Sequence, residues 1–345
     1  MIERPMTERV ERCPACQGNA FRPCHAPDIK IGSGFWRAHG VACGLVQCRA
    51  CGLEVVSPRP RAALLDEFYN QPGYAAHSDT DADDQLMIAQ ARAAALGPWS
   101  AGVRVLDIGC GNGLQLRAFH QWGAVCVGME PSVQGRCVVE ARGFSVYASL
   151  DEVQRQEPPF DLITLYHVLE HVPDLNGMFS SIGRLLKPSG RLCVEVPNLH
   201  SLRARLFSLL PPAWARDDDR YRAFPIHLYG FSAASLKTML ARYGWAPRAV
   251  MTTGLGIGGA RKSEVRVDDE PTNAAGDPPS PRCYGGAGSR CYNAEGGAEH
   301  RLLHPNERTL HRPLWRRVAR TIWRQLERLG LGENLTVVAV NANRR

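Results

Sequence analysis

Short apolar runs alternate with stretches of helical character between residues 103 and 253 of this 345-residue chain. Six runs have the length and composition of buried strands: Val103–Asp107, Val125–Met129, Phe144–Tyr147, Leu162–Tyr166, Arg191–Val196 and Ala249–Thr253. The clearest helical stretches are Leu114–Trp122, Ser132–Ala141, Asp174–Leu186 and Ala233–Tyr243. Strands that alternate with helices pair in parallel and carry their helices on both faces. The pattern therefore predicts an α/β fold, and Leu335–Val340 is a candidate seventh strand.

A glycine-rich turn follows the first predicted strand and leads into the first helix. Its glycines are Gly109, Gly111 and Gly113, in the pattern G-x-G-x-G. A dinucleotide-binding turn needs G-x-G-x-x-G, and Leu114 occupies the place of its third glycine. Asp107 stands two residues before Gly109, where an acid would repel a pyrophosphate. The turn therefore favours a cationic ligand that carries an amino group and a sulfonium.

Half of the twelve cysteines fall within residues 13–51. Four of them form two C-x-x-C pairs: Cys13, Cys16, Cys48 and Cys51. Two such pairs can present four thiolates to one zinc ion, and a zinc with four protein ligands is structural. Cys24, His25 and Cys43 lie between the pairs, so their use as ligands stays open. We expect a small zinc ribbon, with a set of merely reduced or redox-active thiols as the alternative.

The excess positive charge lies at the end of the chain. Lys and Arg exceed Asp and Glu by seven, and residues 301–345 alone carry ten Arg and three Glu. The remaining 300 residues are therefore formally neutral, which argues against a uniformly basic nucleic-acid-binding protein. Residues 313–329 predict a basic amphipathic helix. This helix would pack on its own sheet or on a dimer partner, or alternatively lie on anionic lipid.

Composition and pattern divide the chain into five predicted segments. They are a zinc-ribbon-like domain at 1–60, a helical connector at 61–98, a Rossmann-like domain at 99–254, a disordered Gly- and Pro-rich insertion at 255–312, and a basic helix with the final strand at 313–345. The polar N-terminus and the absence of an apolar run of about 18 residues predict no signal peptide and no membrane-spanning helix. We therefore expect a cytoplasmic protein, with residues 313–329 as the candidate for peripheral membrane contact.

The glycine-rich turn and the segments after it resemble the class I S-adenosylmethionine-dependent methyltransferases. The turn resembles motif I, and Glu130 matches the acid that binds the ribose hydroxyls in that family. Tyr166-His-Val-Leu-Glu-His171 resembles the fourth-strand segment, and Leu185-Leu-Lys-Pro-Ser-Gly190 resembles the turn before the fifth strand. The resemblance implies a Rossmann-like seven-stranded sheet whose last strand is antiparallel. It assigns cofactor binding to Asp107, Gly109, Cys110, Gly111, Asn112, Gly113, Glu130, Pro131, Tyr166 and His167.

A narrower resemblance is to bacterial methyltransferases with an N-terminal zinc ribbon, which are often linked to sugar, polysaccharide or secondary-metabolite modification. It rests on these residues: Cys51-Gly-Leu53, Pro58-Arg-Pro60, Tyr69, Tyr74, Pro197-Asn198, Trp214, Pro225–Ser232 and the loop Gly330–Leu335. The resemblance implies a structural Zn²⁺ alongside S-adenosylmethionine. It also implies a small-molecule or sugar-linked acceptor, and it leaves the oligomeric state open.

Histidines near the carboxyl ends of the predicted strands are candidates for the acceptor's proton. His227 is the first, as a base or an acceptor-binding group, with a packing role as its alternative. His171 is the second, with a structural role at the strand-to-helix turn as its alternative. We expect S-adenosylmethionine-dependent methyl transfer to an oxygen or carbon of a small-molecule or glycan-precursor acceptor. The alternative is an RNA methyltransferase that binds nucleic acid through the ribbon and the basic tail. The presence of Asp107, the three glycines and Glu130 disfavours a non-catalytic scaffold.

Overall fold

The computed structural model describes residues 6–24, 29, 33–71, 82–202, 204–205, 223–253 and 327–342, with residues 82–84 described by their backbone alone. The insertion predicted at 255–312 lies outside these residues, and so does the basic helix predicted at 313–329 apart from its last three positions. No helix in the described part of the chain is long and apolar enough to cross a membrane.

The strands alternate with helices from residue 104 onward, as the apolar periodicity predicts. In chain order they are β1 (Thr7–Glu8), β2 (Phe21–Cys24), β3 (Leu45–Cys48), β4 (Glu54–Val56), β5 (Arg59–Pro60), β6 (Arg104–Ile108), β7 (Val125–Met129), β8 (Ser145–Tyr147), β9 (Phe160–Tyr166), β10 (Leu186–Pro197), β11 (Tyr229–Gly230), β12 (Trp245–Thr253) and β13 (Asn334–Asn341). Each of the seven strands predicted from the sequence overlaps one of these.

Eight α-helices accompany these strands in the described part of the chain. In chain order they are α1 (Ser33–Ala38), α2 (Ala62–Tyr69), α3 (Ala82–Ala95), α4 (Leu114–His120), α5 (Val133–Ala141), α6 (Leu150–Gln156), α7 (Leu175–Leu185) and α8 (Ala233–Arg242). Four of them, α5 to α8, begin after a residue whose side-chain oxygen accepts a backbone N–H of the first turn: Ser132, Ser149, Asp174 and Ser232. The helices α1 and α6, which are six and seven residues long, were not predicted from the sequence.

Seven strands form the main sheet in the order β12-β13-β10-β9-β6-β7-β8. Strands β6 to β10 pair in parallel, whereas β13 is antiparallel to both of its neighbours, β10 and β12. The predicted fold class is therefore confirmed, including the antiparallel last strand. The carboxyl ends of β6, β7, β9 and β10 lie along one edge, which is where an open α/β sheet binds its ligands.

The N-terminal strands form two small sheets of their own. Strand β1 pairs with β5, and a four-stranded sheet has the order β11-β4-β3-β2. Strand β11 comes from far along the chain and pairs with β4 through Tyr229 opposite Val55. Beside this pair, the Val56 N–H donates to the Leu228 carbonyl over 3.0 Å. The ribbon is therefore joined by backbone hydrogen bonds to the segment that carries His227.

Candidate active site

The glycine-rich turn after β6, residues 107–113, is called the glycine loop below. Gly109, Gly111 and Gly113 have φ values of +68°, +55° and +78°. L-residues with a side chain rarely adopt this conformation, so the three glycines allow the loop to curl between β6 and α4. The Gly109 N–H donates to the Met129 carbonyl over 2.7 Å, which holds the loop against the end of β7.

Glu130 follows β7, and its carboxylate lies across the glycine loop. Oε2 accepts the Gly111 N–H and Oε1 accepts the Ser132 N–H, each over 2.9 Å. A Cβ on Gly135 would lie 2.7 Å from Cγ of Glu130, so a glycine in α5 makes room for this side chain. A carboxylate can accept about four hydrogen bonds. Both oxygens therefore retain capacity for the hydroxyl groups of a ligand.

Asp107 lies at the carboxyl end of β6 and is 3% exposed. The Thr164 hydroxyl donates to its Oδ1 over 2.6 Å. Burial raises the pKa of Asp107 to about 7, against the opposing effects of the Thr164 hydrogen bond and the Arg92 charge. A cation bound beside it would favour the ionised carboxylate. Ligand charge and Asp107 ionisation are therefore coupled close to neutral pH.

A charged network lies at the ends of β9 and β10. Glu195 is 3% exposed and binds the guanidinium of Arg92, while the Thr336 hydroxyl donates to its Oε2 over 2.8 Å. Burial raises the pKa of Glu195, but Arg92 and His167 outweigh burial and hold this pKa well below its usual range. Arg92 also lies 4.3 Å above the ring of Tyr166, a cation–π distance. The network fixes the side chains that border β9.

His167 stands between two buried carboxylates although its own side chain is 39% exposed. Its Nδ1 lies 3.4 Å from Glu170 Oε1 and its Nε2 lies 3.5 Å from Glu195 Oε1. Burial lowers the pKa of His167, but the two carboxylates outweigh burial and raise it to about 9. The backbone of His167 has a φ of +57°, which is rare for a residue with a side chain. The ion pairs hold this strained residue at the edge of the site.

His171 and His227 come together from segments 56 positions apart, with ring centroids 4.6 Å apart in an edge-to-face arrangement. Nδ1 of His171 lies 3.0 Å from the Ile226 carbonyl oxygen and 3.0 Å from the Tyr69 hydroxyl. Burial lowers the pKa of His171, which favours its neutral form. Glu170 lies beside the pair and is fully buried. The two histidines therefore share one site with a carboxylate.

A cavity of about 40 Å³ opens to solvent beside this histidine pair. Its polar lining includes Glu54 from the ribbon, Asn198 after β10, and His227. Its apolar lining includes Leu45 from the ribbon and Phe224. Ribbon and main sheet each supply part of its wall.

The four paired cysteines of the ribbon meet in one cluster. Their Sγ atoms lie within 4.8 Å of one another, and the Cys13–Cys51 and Cys16–Cys48 pairs are each 3.5 Å apart. Burial raises the pKa of Cys48, but the backbone N–H groups of Cys51 and Ala50 outweigh it and lower this pKa to about 7. Cys24 and Cys43 instead pack against a separate apolar cluster formed by Leu45, Val56 and Phe224. His25 lies outside the described residues.

A family model described as a methyltransferase domain matches residues 73–250, just over half of the chain. The chain belongs to this methyltransferase family. The resemblance to class I S-adenosylmethionine-dependent methyltransferases is therefore confirmed. The matched segment includes the glycine loop and most of the residues that line the cavity. The ribbon residues of the cavity wall lie outside the match.

Curated relatives of the methyltransferase domain include several bacterial proteins named ubiquinone biosynthesis O-methyltransferase. The protein from Xylella fastidiosa (strain 9a5c) is 35% identical over 106 residues, which cover 28% of this chain and 43% of the relative. The protein from Pseudomonas fluorescens (strain SBW25) is 31% identical over 121 residues, which cover 32% of this chain and 50% of the relative. The matches thus span half or less of these relatives' own length.

Solved structures of other methyltransferases are similar to this one at low identity. An S-adenosylmethionine-dependent methyltransferase from Thermotoga maritima is 16% identical, with a TM-score of 0.42 over 75% of this chain and 89% of that chain. One from Mesorhizobium loti is 17% identical, with a TM-score of 0.41 over 72% of this chain and 95% of that chain. Likenesses at this level support no statement about substrate.

The methyltransferase structure brings most of the predicted site residues to one edge of the sheet. The glycine loop, with Cys110 and Asn112, lies against Glu130, and Pro131 is the exposed residue that follows. Tyr166 ends β9 and His167 follows it. Asn198, in contrast, is 2% exposed and donates to the carbonyl oxygens of Gly330 and Gly332, so it also anchors the loop before β13.

Several residues of this candidate site were not predicted from the sequence. They are Glu54, Arg92, Thr164, Glu195 and Thr336. Glu195 carries a usable signal, because it is an acid in the middle of the apolar run Cys193-Val-Glu-Val-Pro197. A buried acid inside a strand indicates a charged partner from another element. The other residues have no comparable local signal.

Proposed function

We propose that this chain transfers a methyl group from S-adenosylmethionine to an oxygen or carbon of a small-molecule acceptor. The observation that carries the proposal is the glycine loop crossed by the carboxylate of Glu130, within a chain of the methyltransferase family. The named activity of the curated relatives supports an oxygen acceptor. A glycan precursor remains the finer proposal for the acceptor, on the ribbon resemblance.

The glycine loop and the acids beside it fit the proposed donor. Glu130 would accept the ribose hydroxyls with the capacity left on its oxygens. Asp107 would balance the charge of the amino group or the sulfonium, because its carboxylate is buried at the loop. Cys110, Asn112 and Pro131 would shape the rest of this pocket. Tyr166 and His167 would close it at the end of β9, where the charged network holds them.

The acceptor would occupy the cavity beside the histidine pair. Transfer requires the acceptor atom to approach the methyl carbon in line with the carbon–sulfur bond, at roughly 3 Å. His227 lines the cavity and is proposed to contact the acceptor and to assist the loss of its proton. His171 contacts the ring of His227 edge to face and is proposed to hold it in place. Ribbon residues would contribute to acceptor selection, because Glu54 and Leu45 line the same cavity.

The four-cysteine cluster is proposed to hold one structural zinc ion. Four thiolates at about 2.3 Å from a tetrahedral zinc have sulfur atoms about 3.8 Å apart. The observed pairs at 3.5 Å are close to this arrangement. Backbone N–H groups directed at Cys48 would stabilise its thiolate. The zinc would therefore brace the ribbon strands that form part of the cavity wall.

Titration calorimetry with S-adenosylmethionine tests the donor site. We expect saturable binding of one donor per chain. A correctly folded protein that shows no binding would remove the basis of the enzyme proposal. A screen with isotope-labelled methyl donor against quinols, nucleotide sugars and RNA then tests the acceptor class. Label that enters RNA alone would contradict the small-molecule proposal.

Metal analysis of two cysteine variants tests the ribbon zinc. Cys13→Ser removes one thiolate of the cluster, whereas Cys137→Ser removes an exposed thiol outside it. We expect Cys13→Ser to lower the zinc content by about one equivalent under competition with a chelator, because one of four ligands is lost. Cys137→Ser should retain the wild-type content. Equal zinc content in both variants would exclude the four-cysteine assignment.

A further inference from the structure

Glu170, His171 and His227 form the histidine–carboxylate cluster, at the cavity side of the short turn that follows β9. We propose that these three side chains bind a divalent transition-metal ion and that the ion contacts an oxygen of the acceptor. The purpose of the ion rests on the proposed methyl transfer, but its binding does not. The ion would define the role of His227 more closely, since its contact with the acceptor would run through the metal.

The geometry of the cluster matches a three-ligand site. Each residue offers one ligand atom, and these atoms all lie within 4.8 Å of one another. Ligands about 2.1 Å from one ion lie up to about 4.2 Å apart, so small side-chain rotations complete the set. Three protein ligands leave coordination positions open. His227 borders the cavity, so an open position can face the acceptor.

The carboxylate of Glu170 provides an independent indication of a bound cation. The residue is fully buried, and neither of its carboxylate oxygens has a hydrogen-bond partner in the described part of the chain. His167 Nδ1 is 3.4 Å from Oε1 of Glu170, an ion-pair distance beyond a good hydrogen bond. The His167 ion pair stabilises this carboxylate, but both of its oxygens keep hydrogen-bonding and metal-binding capacity that no described residue uses. A metal ion bound to Glu170 would use this capacity.

The surroundings of His171 leave one ring nitrogen suited to a metal. The Ile226 carbonyl oxygen accepts a hydrogen bond from His171 when Nδ1, 3.0 Å away, carries the proton; the Tyr69 hydroxyl oxygen, also 3.0 Å from Nδ1, then accepts from the same N–H. In the neutral ring, Nε2 then carries the free lone pair. Metal-binding histidines commonly donate their other N–H to a backbone carbonyl in this way, which fixes the ring.

Two imidazoles and one carboxylate favour Mn²⁺, Fe²⁺ or Zn²⁺ over Mg²⁺, because Mg²⁺ prefers oxygen ligands alone. An acceptor hydroxyl bound to such an ion loses its proton more easily, and the proton passes to water. The oxygen lone pair then forms the bond to the methyl carbon. The carbon–sulfur bond breaks with its electron pair on sulfur, which turns the sulfonium into a neutral thioether.

Manganese titration of the full-length, zinc-loaded protein tests the site. Mn²⁺ prefers imidazole and carboxylate to thiolate, so it distinguishes this cluster from the four cysteines. Weakly held metal is first removed with citrate, and bound Mn²⁺ is followed by the loss of the free-ion electron paramagnetic resonance signal. We expect one Mn²⁺ per chain. Glu170→Gln and His227→Ala should each weaken binding by at least about tenfold.

His200→Ala is the matched control, because His200 is an exposed histidine after β10 and outside the cluster. It should bind Mn²⁺ as the wild type does. Glu170→Gln is buried and its folding is checked by donor calorimetry; His227→Ala, at a partly exposed position, gives a second test. A protein that takes up neither Mn²⁺ nor a second equivalent of Zn²⁺ overturns the proposal. Binding that is unchanged in both variants overturns it as well.

A failure of the methyl-transfer proposal would give different results from a failure of the metal-site proposal. A protein that binds Mn²⁺ at this cluster but binds no S-adenosylmethionine would contradict the proposed enzyme and would still support the metal site. A protein that binds the donor but no second metal would contradict the metal site alone. Donor calorimetry and manganese titration therefore separate the two proposals.

Discussion

The proposed donor side and the proposed acceptor side of the site are built differently. On the donor side, the glycine loop, Glu130 and Gly135 all lie within 29 consecutive residues, 107–135. On the acceptor side, Glu54, Tyr69, His171 and His227 come from four distant segments. The donor side therefore depends on local turns and one strand pair, whereas the acceptor side depends on how the ribbon packs on the sheet. A methyltransferase family can therefore keep the donor side while the acceptor side varies.

Replacement of His227 should produce the largest separation between the two sides. We expect His227→Ala to lower turnover about 100- to 10,000-fold, the range for loss of an acid–base group. The donor affinity should stay within about twofold, because Glu130 and Asp107 are untouched. Turnover is measured with an acceptor found by the labelled-donor screen. His200→Ala should retain activity, and a matching loss of donor affinity in His227→Ala would refute the separation.

Replacement of Glu130 should weaken donor binding and leave the acceptor side unchanged. Glu130→Ala removes the acceptors proposed for the ribose hydroxyls and should cost about 1–3 kcal/mol of donor binding, roughly a 5- to 150-fold higher Kd by calorimetry. Glu140→Ala is the control, because Glu140 is exposed on α5. Mn²⁺ binding at the histidine–carboxylate cluster should not change. An unaltered Kd for Glu130→Ala would contradict the donor assignment.

Acid should weaken the donor side through Asp107. The pKa of this carboxyl is raised to about 7, so it is largely neutral below pH 7 and largely ionised above it. A cationic donor prefers the ionised form, so its Kd should rise by up to about tenfold per pH unit as the pH falls below 7. Calorimetry between pH 5.5 and 7.5 measures this slope. Asp107→Asn should bind more weakly and lose the slope; a wild type without a slope would exclude the coupling.

Replacement of Glu54 should have the smallest effect, on the acceptor alone. Glu54 is 7% exposed and reaches the cavity from the ribbon. Glu54→Gln keeps the shape but removes the charge, and we expect KM for the acceptor to rise about three- to tenfold, the worth of one hydrogen bond. The donor Kd should stay constant. Glu11→Gln, at an exposed ribbon position, is the control, and an equal rise in its KM would contradict a direct role for Glu54.

Local sequence signals predict both the donor side and the main sheet. Val125–Met129 is an apolar run whose bounds match β7, and Ser132 caps the helix predicted to start there. The three glycines mark the loop because their conformation excludes most other residues. These signals are local. They remain visible in a single sequence.

The acceptor side depends on contacts that leave no local signal. The pairing of β4 with β11 joins residues about 175 positions apart, and β11 is only two residues long. The contact between Tyr69 and His171 joins a connector helix to the turn after β9. The sequence indicates that His171 and His227 are candidates but not that they touch. The two histidines lie close together because of tertiary packing, which the periodicity of the sequence does not indicate.

The pairing between β4 and β11 limits how this chain can be recombined with its relatives. Leu228, next to His227, accepts a hydrogen bond from a ribbon strand, so the ribbon sets the position of that segment. A chimaera that receives a foreign ribbon would inherit a foreign edge strand against β11. Its donor pocket would survive the graft, but its acceptor pocket would have to be fitted again. The ribbon and the segment around His227 therefore have to be exchanged together, although more than 150 residues of chain separate them.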